Sequence, residues 1–262
     1  MGKWDRAGEA YEKALSYDRT LVAASYNLAR ALTEAGSYSR ALEVLERLRA
    51  EDPDNVRLIT LSAYAHHKAG DDEAALDAYR RAAELNPRDA PTLRNLALLL
   101  ERAGRDEEAR GILRELYTVD PSDDAVLRRL ALLEARRAGA GPSGPSEEAL
   151  SLLTAALARK PGDREVLRAR AELRESRELF ARAIEDWAAL VQADPSDGEA
   201  WFRLARLRLV VAGDREAGLE ALRKALDAKF SDAEAAAALL AALPEGERAG
   251  PAEILKAAGL TD

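Results

Sequence analysis

The stretch Gly70–Asp89, GDDEAALDAYRRAAELNPRD, combines a glycine turn, an amphipathic segment and a proline stop. Its apolar residues recur at intervals of three and four, which predicts an α-helix from about Asp72 to Leu85. Proline disfavours the helical conformation of the residue before it, so Asn86-Pro87 ends the segment. The pattern returns along the chain as GSYSRALEVLERLRAEDPDN, GRDEEARGILRELYTVDPSD and LFARAIEDWAALVQADPSD.

The composition is typical of a folded chain and excludes several kinds of site. Of the 262 residues, 47% are hydrophobic and 33% are charged, a balance unlike that of disordered chains. Cysteine is absent, which excludes disulfides, thiolate metal sites and cysteine nucleophiles. The net charge of −8 argues against a dedicated nucleic-acid binder, because such proteins carry a basic face. No run approaches the ~18 apolar residues of a membrane span.

The first residues of the chain give little information about the cellular compartment of the protein. The segment MGKWDRAGEAY lacks the apolar core of a secretory signal. This slightly favours the cytoplasm and leaves a periplasmic location open if the native N-terminus was removed. The chain also starts in the middle of a repeat, so the sequence leaves open whether it is a fragment of a longer protein.

Two kinds of helix break recur along the chain with one period. Between the breaks Ala, Leu, Arg and Glu dominate, all of them good helix formers, and strand-like alternation is absent. A spacing of 34 residues separates the turn glycines Gly36, Gly70 and Gly104, the prolines Pro53, Pro87 and Pro121, and the pair Pro161 and Pro195. A helix, a turn and a second helix are therefore predicted to repeat along the chain.

This unit resembles the tetratricopeptide repeat, a family of helix pairs with the same period. The matching positions of the unit 22–55 are Leu28-Ala29, Leu32, Gly36, Tyr38, Ala41 and Pro53. Those of the unit 90–123 are Leu96-Ala97, Leu100, Gly104, Ala109 and Pro121, and those of 198–232 are Trp201, Leu204-Ala205, Gly213 and Ala225. The resemblance covers about residues 1–232 and implies an all-α, right-handed superhelix, a solenoid with a curved groove.

The resemblance divides the chain as one solenoid domain. Its six complete repeats are 22–55, 56–89, 90–123, 124–163, 164–197 and 198–232, with a half repeat 1–21 before them and a C-terminal cap 233–262 after them. The pattern is broken locally in three repeats. They carry the Gly/Pro/Ser-rich insertion Ala138–Ser146, Glu178 in place of the turn glycine, and Phe230 in place of the stop proline with one extra residue near Val210-Val211.

Small residues at matched positions predict where helices cross. A larger side chain there would push two helices apart, at roughly 1–3 kcal/mol. The first-helix set is Ala29, Ala63, Ala97, Ala131, Ala171 and Ala205, and the second-helix set is Ala41, Ala75, Ala109, Ala149 and Ala183. Larger residues are expected to fill the space between repeats: Leu28, Leu32, Leu96, Leu100, Tyr79 and Trp187.

The two ends of a solenoid need separate treatment, because each lacks one neighbour. A short last helix around Ala252–Ala258, with Gly259 as its C-cap, is expected to fold Ile254 and Leu255 over Leu239 and Leu240. At the other end the helix Trp4–Leu15 has no partner helix within its half repeat. Its apolar side is expected to be exposed or covered by another chain, which makes self-association through either end a possible function.

The search for catalytic and metal sites is mostly empty. His66 occupies a large core position, which favours a packing role, and the adjacent His67 points elsewhere, so the two cannot chelate one ion as an i, i+4 pair would. The acidic residues are spread along solvent faces. The loop sequence GAGPSG lacks the lysine and the strand context of a phosphate loop. No cofactor and no enzymatic activity are predicted.

The groove is the better candidate site. Each helical residue advances about 100°, so positions 2, 5, 6, 9 and 13 of a repeat project away from the core. In the family these first-helix positions line the concave surface. Position 5 reads Tyr26, Thr60, Arg94, Arg128, Arg168 and Phe202, and the near neighbours are Asn95, Arg129 and Tyr64. Because guanidinium forks suit carboxylates, the arginines imply an acidic or C-terminal peptide as ligand.

A second interpretation assigns these arginines to pairing within their own helices. Arg128 has Asp124 within one turn, and Arg168 has Glu165 and Glu172. Arg94 has no carboxylate three or four residues away, so it is expected to be the freest of the three.

Three functions remain open from the sequence. The leading one is a non-enzymatic scaffold that binds a partner peptide or helix in the concave groove. The second is a structural or assembly subunit that acts through its terminal helices. The third is RNA binding by helical repeats, which the acidic balance disfavours.

Overall fold

The recurring turns and stops separate fifteen α-helices in the computed structural model, which describes residues 2–139 and 146–261. These two ranges contain no β-strand, and the predicted all-α fold is confirmed. None of their helices is long and apolar enough to cross a membrane. The contacts divide the chain into two units, Met1–Pro121 and Ser122–Asp262. The assignment of a single solenoid domain stays a prediction.

The first unit is a series of seven helices, each packed against the next in the described residues. They are α1 (Lys3–Tyr17), α2 (Val22–Glu34), α3 (Tyr38–Glu51), α4 (Val56–Ala69), α5 (Asp72–Leu85), α6 (Ala90–Arg102) and α7 (Asp106–Val119). Helix α5 has the predicted bounds. Each repeat therefore forms two helices, and the first helix of one repeat packs on the second helix of the repeat before it.

The second unit continues the same alternation. Its helices are α8 (Asp124–Gly139), α9 (Ser146–Arg159), α10 (Arg164–Ser176), α11 (Phe180–Ala193), α12 (Gly198–Arg206), α13 (Arg215–Asp227), α14 (Ala233–Ala242) and α15 (Ala249–Ala257). A 3₁₀ turn, Glu245–Glu247, precedes α15. Of the predicted insertion Ala138–Ser146, residues 140–145 lie outside the described ranges. The first helices α8 and α10 contact each other directly, as do α10 and α11.

Acidic and amide side chains define where the first helices begin. Each accepts a hydrogen bond from a backbone N–H in the first turn, which would otherwise have no partner; such a cap contributes ~1 kcal/mol. The caps of first helices are Asn55, Asp89, Asp163, Asp197 and Asp232. The polar residues after each stop proline therefore restart the chain as a helix.

The predicted crossing positions are confirmed. All eleven alanines of the two predicted sets have an exposed fraction of 0%. The larger residues between repeats are buried as well, Tyr79 at 1% exposed and Trp187 at 0%. The core consists of small residues where helices cross and large residues between them, the arrangement that close helix packing requires.

The local departures from the repeat have specific structural outcomes. Glu178 adopts a left-handed backbone conformation at φ +58°, so it occupies the turn as glycine does in other repeats. The extra residue near Val210-Val211 is accommodated by a π-helix, Leu207–Ala212, which follows α12 directly. Phe230, in place of the stop proline, stacks on Phe202 with ring centroids 4.1 Å apart.

The expectation for the N-terminal helix is wrong. Helix α1 packs on α2, and its residues Tyr11 and Leu15 lie against the buried cluster of Leu28, Leu32 and Ala41. The first complete repeat therefore covers the apolar side of the half repeat. Side chains at the α1–α2 junction are exposed instead: Tyr17, Leu21 and Val22.

The C-terminal cap folds back as predicted, with different bounds. Helix α15 begins at Ala249, earlier than expected, and contacts both α13 and α14. Leu255 and Leu239 are buried, whereas Ile254 and Leu240 are only partly buried. Gly259 has φ +73°, and the next N–H donates to the carbonyl of Leu255 at 3.0 Å, a typical helix end.

Candidate functional site

In four repeats the residue at the fifth position contacts the start of the next first helix or the residues just before it. The Thr60 hydroxyl lies 2.7 Å from that of Thr92, in the first turn of α6. Phe202 stacks on Phe230, just before α14. Arg128 and Arg168 follow the same rule with charged partners, as described next. In these four repeats the residue at position 5 therefore lies against the start of the next first helix, and its side chain matches the residue that it contacts there.

Arg128 pairs with the start of the next first helix, α10, and not with its own helix. Its Nε donates to Oδ2 of Asp163, the cap of α10, at 2.9 Å, and its Nη2 donates to Glu165. The expected partner, Asp124, instead accepts a hydrogen bond from Arg159 at 2.7 Å. The predicted pairing within α8 is therefore wrong.

Arg168 repeats this arrangement one repeat later. Its Nη2 donates to Asp197, the cap of α12, and its Nη1 lies 3.8 Å from Glu199. The second interpretation, pairing with Glu165 and Glu172 on its own helix, is wrong. The ion pairs of Arg168 are with Asp197 and Glu199. Both arginines join consecutive first helices, and their side chains remain 36% (Arg128) and 32% (Arg168) exposed.

Asp163 serves as a helix cap and as an ion-pair partner. Burial raises the pKa of its carboxyl, but hydrogen bonds from Arg128 and from the N–H of Val166, together with the Lys160 charge, outweigh burial and hold the pKa below its ordinary value. The carboxylate is 6% exposed, so few water molecules can replace Arg128. The pair therefore contributes to the packing of α8 on α10.

Charge reversal at Arg128 is expected to destabilise the chain. In Arg128→Glu the new carboxylate would face Asp163 and Glu165, and we expect the free energy of unfolding to fall by about 1–3 kcal/mol. Urea unfolding followed by circular dichroism measures this. Arg223→Glu, on the exposed face of α13, is the matched control with little expected change. Equal stability of the two variants would contradict the assigned role of Arg128.

The other predicted site residues also have contacts of their own. Arg94 and Arg129 each have an interaction partner, so Arg94, expected to be the freest of the three arginines, is not without one. Tyr64 donates to Glu34 at 3.2 Å, and its pKa is raised by burial and by that carboxylate. Asn95 lies near the buried hydroxyl of Tyr79. Arg94, Asn95 and Tyr64 belong to the first unit, whereas the remaining predicted residues belong to the second.

The two histidines contact carboxylates at the start of α5. Nδ1 of His66 lies 3.3 Å from Asp71, and Nδ1 of His67 lies 2.8 Å from Asp72. His66 is partly exposed, so it is not the fully packed core residue that the sequence predicted. Across residues 2–139 and 146–261, no group of three or more His, Asp or Glu side chains could hold a metal ion.

A groove of about 430 Å³ lies between the first helices α8 and α10. Leu132, Ala135, Ala169 and Leu173 form its apolar floor, and Gly139 and Ser176, the last residues of α8 and α10, also line it. Its charged rim consists of Arg136, Glu165, Arg168 and Glu172. Leu132, Arg168, Ala169 and Glu172 occupy positions 9, 5, 6 and 9 of their repeats, on the face that the sequence predicted to line the groove. We call this surface the α8–α10 groove.

Glu172 differs from the other charged residues of the rim. Arg168 and Glu165 belong to the inter-repeat pairs, and Arg136 also has an interaction partner. Glu172 has neither a hydrogen bond nor an ion pair with any described residue. Burial raises the pKa of its carboxyl, as do the Glu199 and Glu175 charges, whereas the charges of Arg168 and Arg203 lower it. The net direction is upward.

The neighbouring Glu175 lies on the same helix, and its carboxylate, unlike that of Glu172, has hydrogen-bond partners. It accepts a hydrogen bond from Nε1 of Trp187 at 3.0 Å and another from Arg206, and Arg203 lies 3.5 Å away. Sequence reasoning treated Glu172 only as a partner for Arg168. Its place at position 9 was the signal that could have identified it.

Comparisons with known proteins agree on the repeat. Four family models, each described as tetratricopeptide repeat, match residues 1–63, 56–89, 90–133 and 143–197. No curated protein sequence matches the chain significantly.

Several solved structures share the fold. YrrB, described as a TPR protein with an unusual peptide-binding site, is 17% identical, with 72% of this chain and 94% of YrrB covered at a TM-score of 0.62. The C-terminal part of a TPR repeat-containing protein from Cytophaga hutchinsonii is 13% identical, with 90% and 96% covered at 0.64. A tetratricopeptide repeat protein from Parabacteroides merdae is 18% identical, with 92% of each chain covered at 0.54. At these identities the likeness establishes the fold alone.

Proposed function

Because the chain belongs to the tetratricopeptide repeat family, we propose that it is a non-enzymatic interaction scaffold that binds a partner polypeptide segment along its first helices. The observation that carries this proposal is the α8–α10 groove, an apolar floor between two charged edges. Such a surface suits a segment that presents alternate apolar and polar side chains. The peptide-binding site described for YrrB is consistent with this kind of function.

The ion pairs of Arg128 and Arg168 argue against these two residues as the anchors of such a segment. Arg128 and Arg168 were predicted as anchors for an acidic peptide, together with Arg94. Carboxylates at the start of the next first helix already hold the first two guanidinium groups. An acidic ligand would have to compete with them and would gain correspondingly less. The apolar floor has no such competitor, so we place the primary contact there.

Filling the groove tests the proposal. Ala169→Trp would place an indole on the floor, and we expect it to weaken peptide binding at least tenfold while the far-ultraviolet circular dichroism spectrum stays unchanged. Ala158→Trp, on the exposed surface of α9, is the matched control. The probe is a random-sequence peptide library displayed on phage, with selected sequences remade as fluorescent peptides. Peptides that bind both variants as they bind the wild type would contradict the proposal.

Self-association is a second function with a specific observation in its favour. Tyr17 is 81% exposed, Val22 56% and Leu21 42%, so three large apolar side chains lie at the surface near the α1–α2 junction. Exposed apolar clusters are common at protein contacts. Light scattering across a wide concentration range tests this function, and a constant monomer mass would exclude it.

A further inference from the structure

We infer that the α8–α10 groove recognises a segment with a lysine or arginine side chain, which pairs with Glu172 while an adjacent aliphatic side chain packs on the groove floor. This inference rests on the proposed function and adds the chemical class of the partner. It reverses the sign of the partner charge that the sequence suggested.

The floor fixes the position of an apolar side chain. Leu132 on α8 and Leu173 on α10 form its larger part, and Ala135 and Ala169 leave space between them. The volume of about 430 Å³ admits an aliphatic side chain together with a stretch of backbone. Burial of such a side chain is favourable in proportion to the apolar area removed from water. The charged group of the partner is then held beside α10, where Glu172 lies.

The charges around the floor decide the sign of the partner. Both arginines that could attract an acidic side chain, Arg136 and Arg168, already have interaction partners. Glu165 is engaged by Arg128. Among the described rim residues this leaves the Glu172 carboxylate without a hydrogen bond or ion pair. A cation beside Glu172 completes a pair and leaves every existing pair in place, whereas an anion in the groove would have to break one.

Charges of both signs surround Glu172. The Arg168 and Arg203 charges stabilise its carboxylate, whereas the Glu199 and Glu175 charges oppose it and disfavour a second anion nearby. The Glu172 side chain is exposed beside the apolar floor, so a cation of the partner reaches it from solvent while the adjacent aliphatic side chain packs on the leucines. The net charge of −8 would also speed the encounter with a basic segment.

The experiment begins with the phage-displayed random peptide library and counter-selects against Ala169→Trp, so that only peptides that need the groove remain. We expect these peptides to share a lysine or arginine next to one or two aliphatic residues. Selected sequences are then synthesised with a fluorescent label, and their affinities are measured for the wild type and for three variants: Glu172→Gln, Glu172→Lys and the control Glu185→Gln. Glu185 is an exposed carboxylate on α11.

We expect Glu172→Gln to weaken the selected peptides about tenfold, the loss of one charged hydrogen bond, and Glu185→Gln to leave them unchanged. Glu172→Lys should weaken them further. It should also bind a peptide in which the basic residue is replaced by glutamate at least tenfold more tightly than the wild type does. That exchange of charges is an effect that a purely structural role of Glu172 could not produce.

Two negative outcomes have different meanings. Groove-dependent peptides that are acidic, or whose affinity is the same for Glu172→Gln as for the wild type, would overturn the inference and leave the scaffold function standing. If no peptide distinguishes the wild type from Ala169→Trp, the proposed function itself fails, and the inference fails with it.

Discussion

Replacing Asp186 with alanine is expected to lower the free energy of unfolding by about 3–5 kcal/mol, the usual effect of removing one partner from a buried ion pair. The Asp186 side chain on α11 is 3% exposed and lies between two arginines of α10. Nη2 of Arg170 lies 2.7 Å from one carboxylate oxygen, and Nη1 of Arg174 lies 2.8 Å from the other. Without the carboxylate, two largely buried guanidinium groups would face each other.

The pKa of Arg174 lies below its ordinary value. Burial lowers this pKa and the nearby Arg170 charge acts in the same direction, whereas Asp186 raises it. Other acceptors are few: Arg170 also reaches the Thr154 hydroxyl, and Arg174 reaches the Arg182 carbonyl, each at 3.1 Å. These contacts cannot neutralise two charges. The aspartate is therefore the group on which the local packing of α10 and α11 depends.

Urea unfolding followed by circular dichroism measures the effect of Asp186→Ala. Glu185→Ala changes the adjacent, exposed carboxylate and should shift the free energy of unfolding by less than about 0.5 kcal/mol. Replacing all three charged residues by apolar ones of similar size should recover much of the loss, since buried ion pairs are often exchangeable for apolar packing. A small effect of Asp186→Ala alone would show that water reaches the arginines.

Replacing Gly198 with alanine is expected to lower the free energy of unfolding by about 3 kcal/mol. Gly198 is buried at the first position of α12. The backbone at the end of α13 and just after it passes close to this position. A Cβ atom there would lie 2.8 Å from the carbonyl oxygen of Ala228, 3.0 Å from the N–H nitrogen of Phe230 and 3.1 Å from the carbonyl oxygen of Ala225. All three are backbone atoms, so no side-chain rotation can relieve the contact.

The same substitution at Gly111 should have the opposite sign. Gly111 lies within α7, and a Cβ atom there would meet nothing within 4 Å. Gly111→Ala is therefore expected to raise the free energy of unfolding by about 0.5–1 kcal/mol, because alanine loses less conformational entropy in a helix. Thermal unfolding of the two variants beside the wild type measures both. A stabilising effect of Gly198→Ala would contradict the close approach of the backbone to Gly198 at the start of α12.

Much of the fold follows from the sequence because its causes are local. Proline at Pro87 ends a helix by removing a hydrogen-bond donor, and Asp89 starts the next by capping it, whatever the rest of the chain does. The 34-residue period of these signals can be read from the sequence without knowledge of any tertiary contact. Alanines such as Ala63 and Ala75 recur where helices cross, so their complete burial was predictable from their spacing as well.

The candidate site was less predictable because its causes are contacts between repeats. The helical period predicted only that Arg128 and Arg168, at position 5, project away from the core. It could not show that both meet the caps of the following helices, 35 and 29 residues away in sequence. Pairing within one helix was the natural expectation, and it was wrong for both arginines. Among the described charged residues of the α8–α10 groove rim, the one without a hydrogen bond or ion pair is Glu172.

The sequence alone determined the helices, their period and their small crossing residues, since these depend on backbone sterics and on the residues three or four positions away. Only the tertiary structure decided which charges are satisfied. The turn after the second helix brings Arg128 and Arg168 against the start of the next first helix, and each guanidinium is paired with the carboxylates that lie there. The stretch Gly70–Asp89 shows the division: its own residues specify the turn, the helix and the stop, while the partner of each surface side chain depends on the neighbouring repeat.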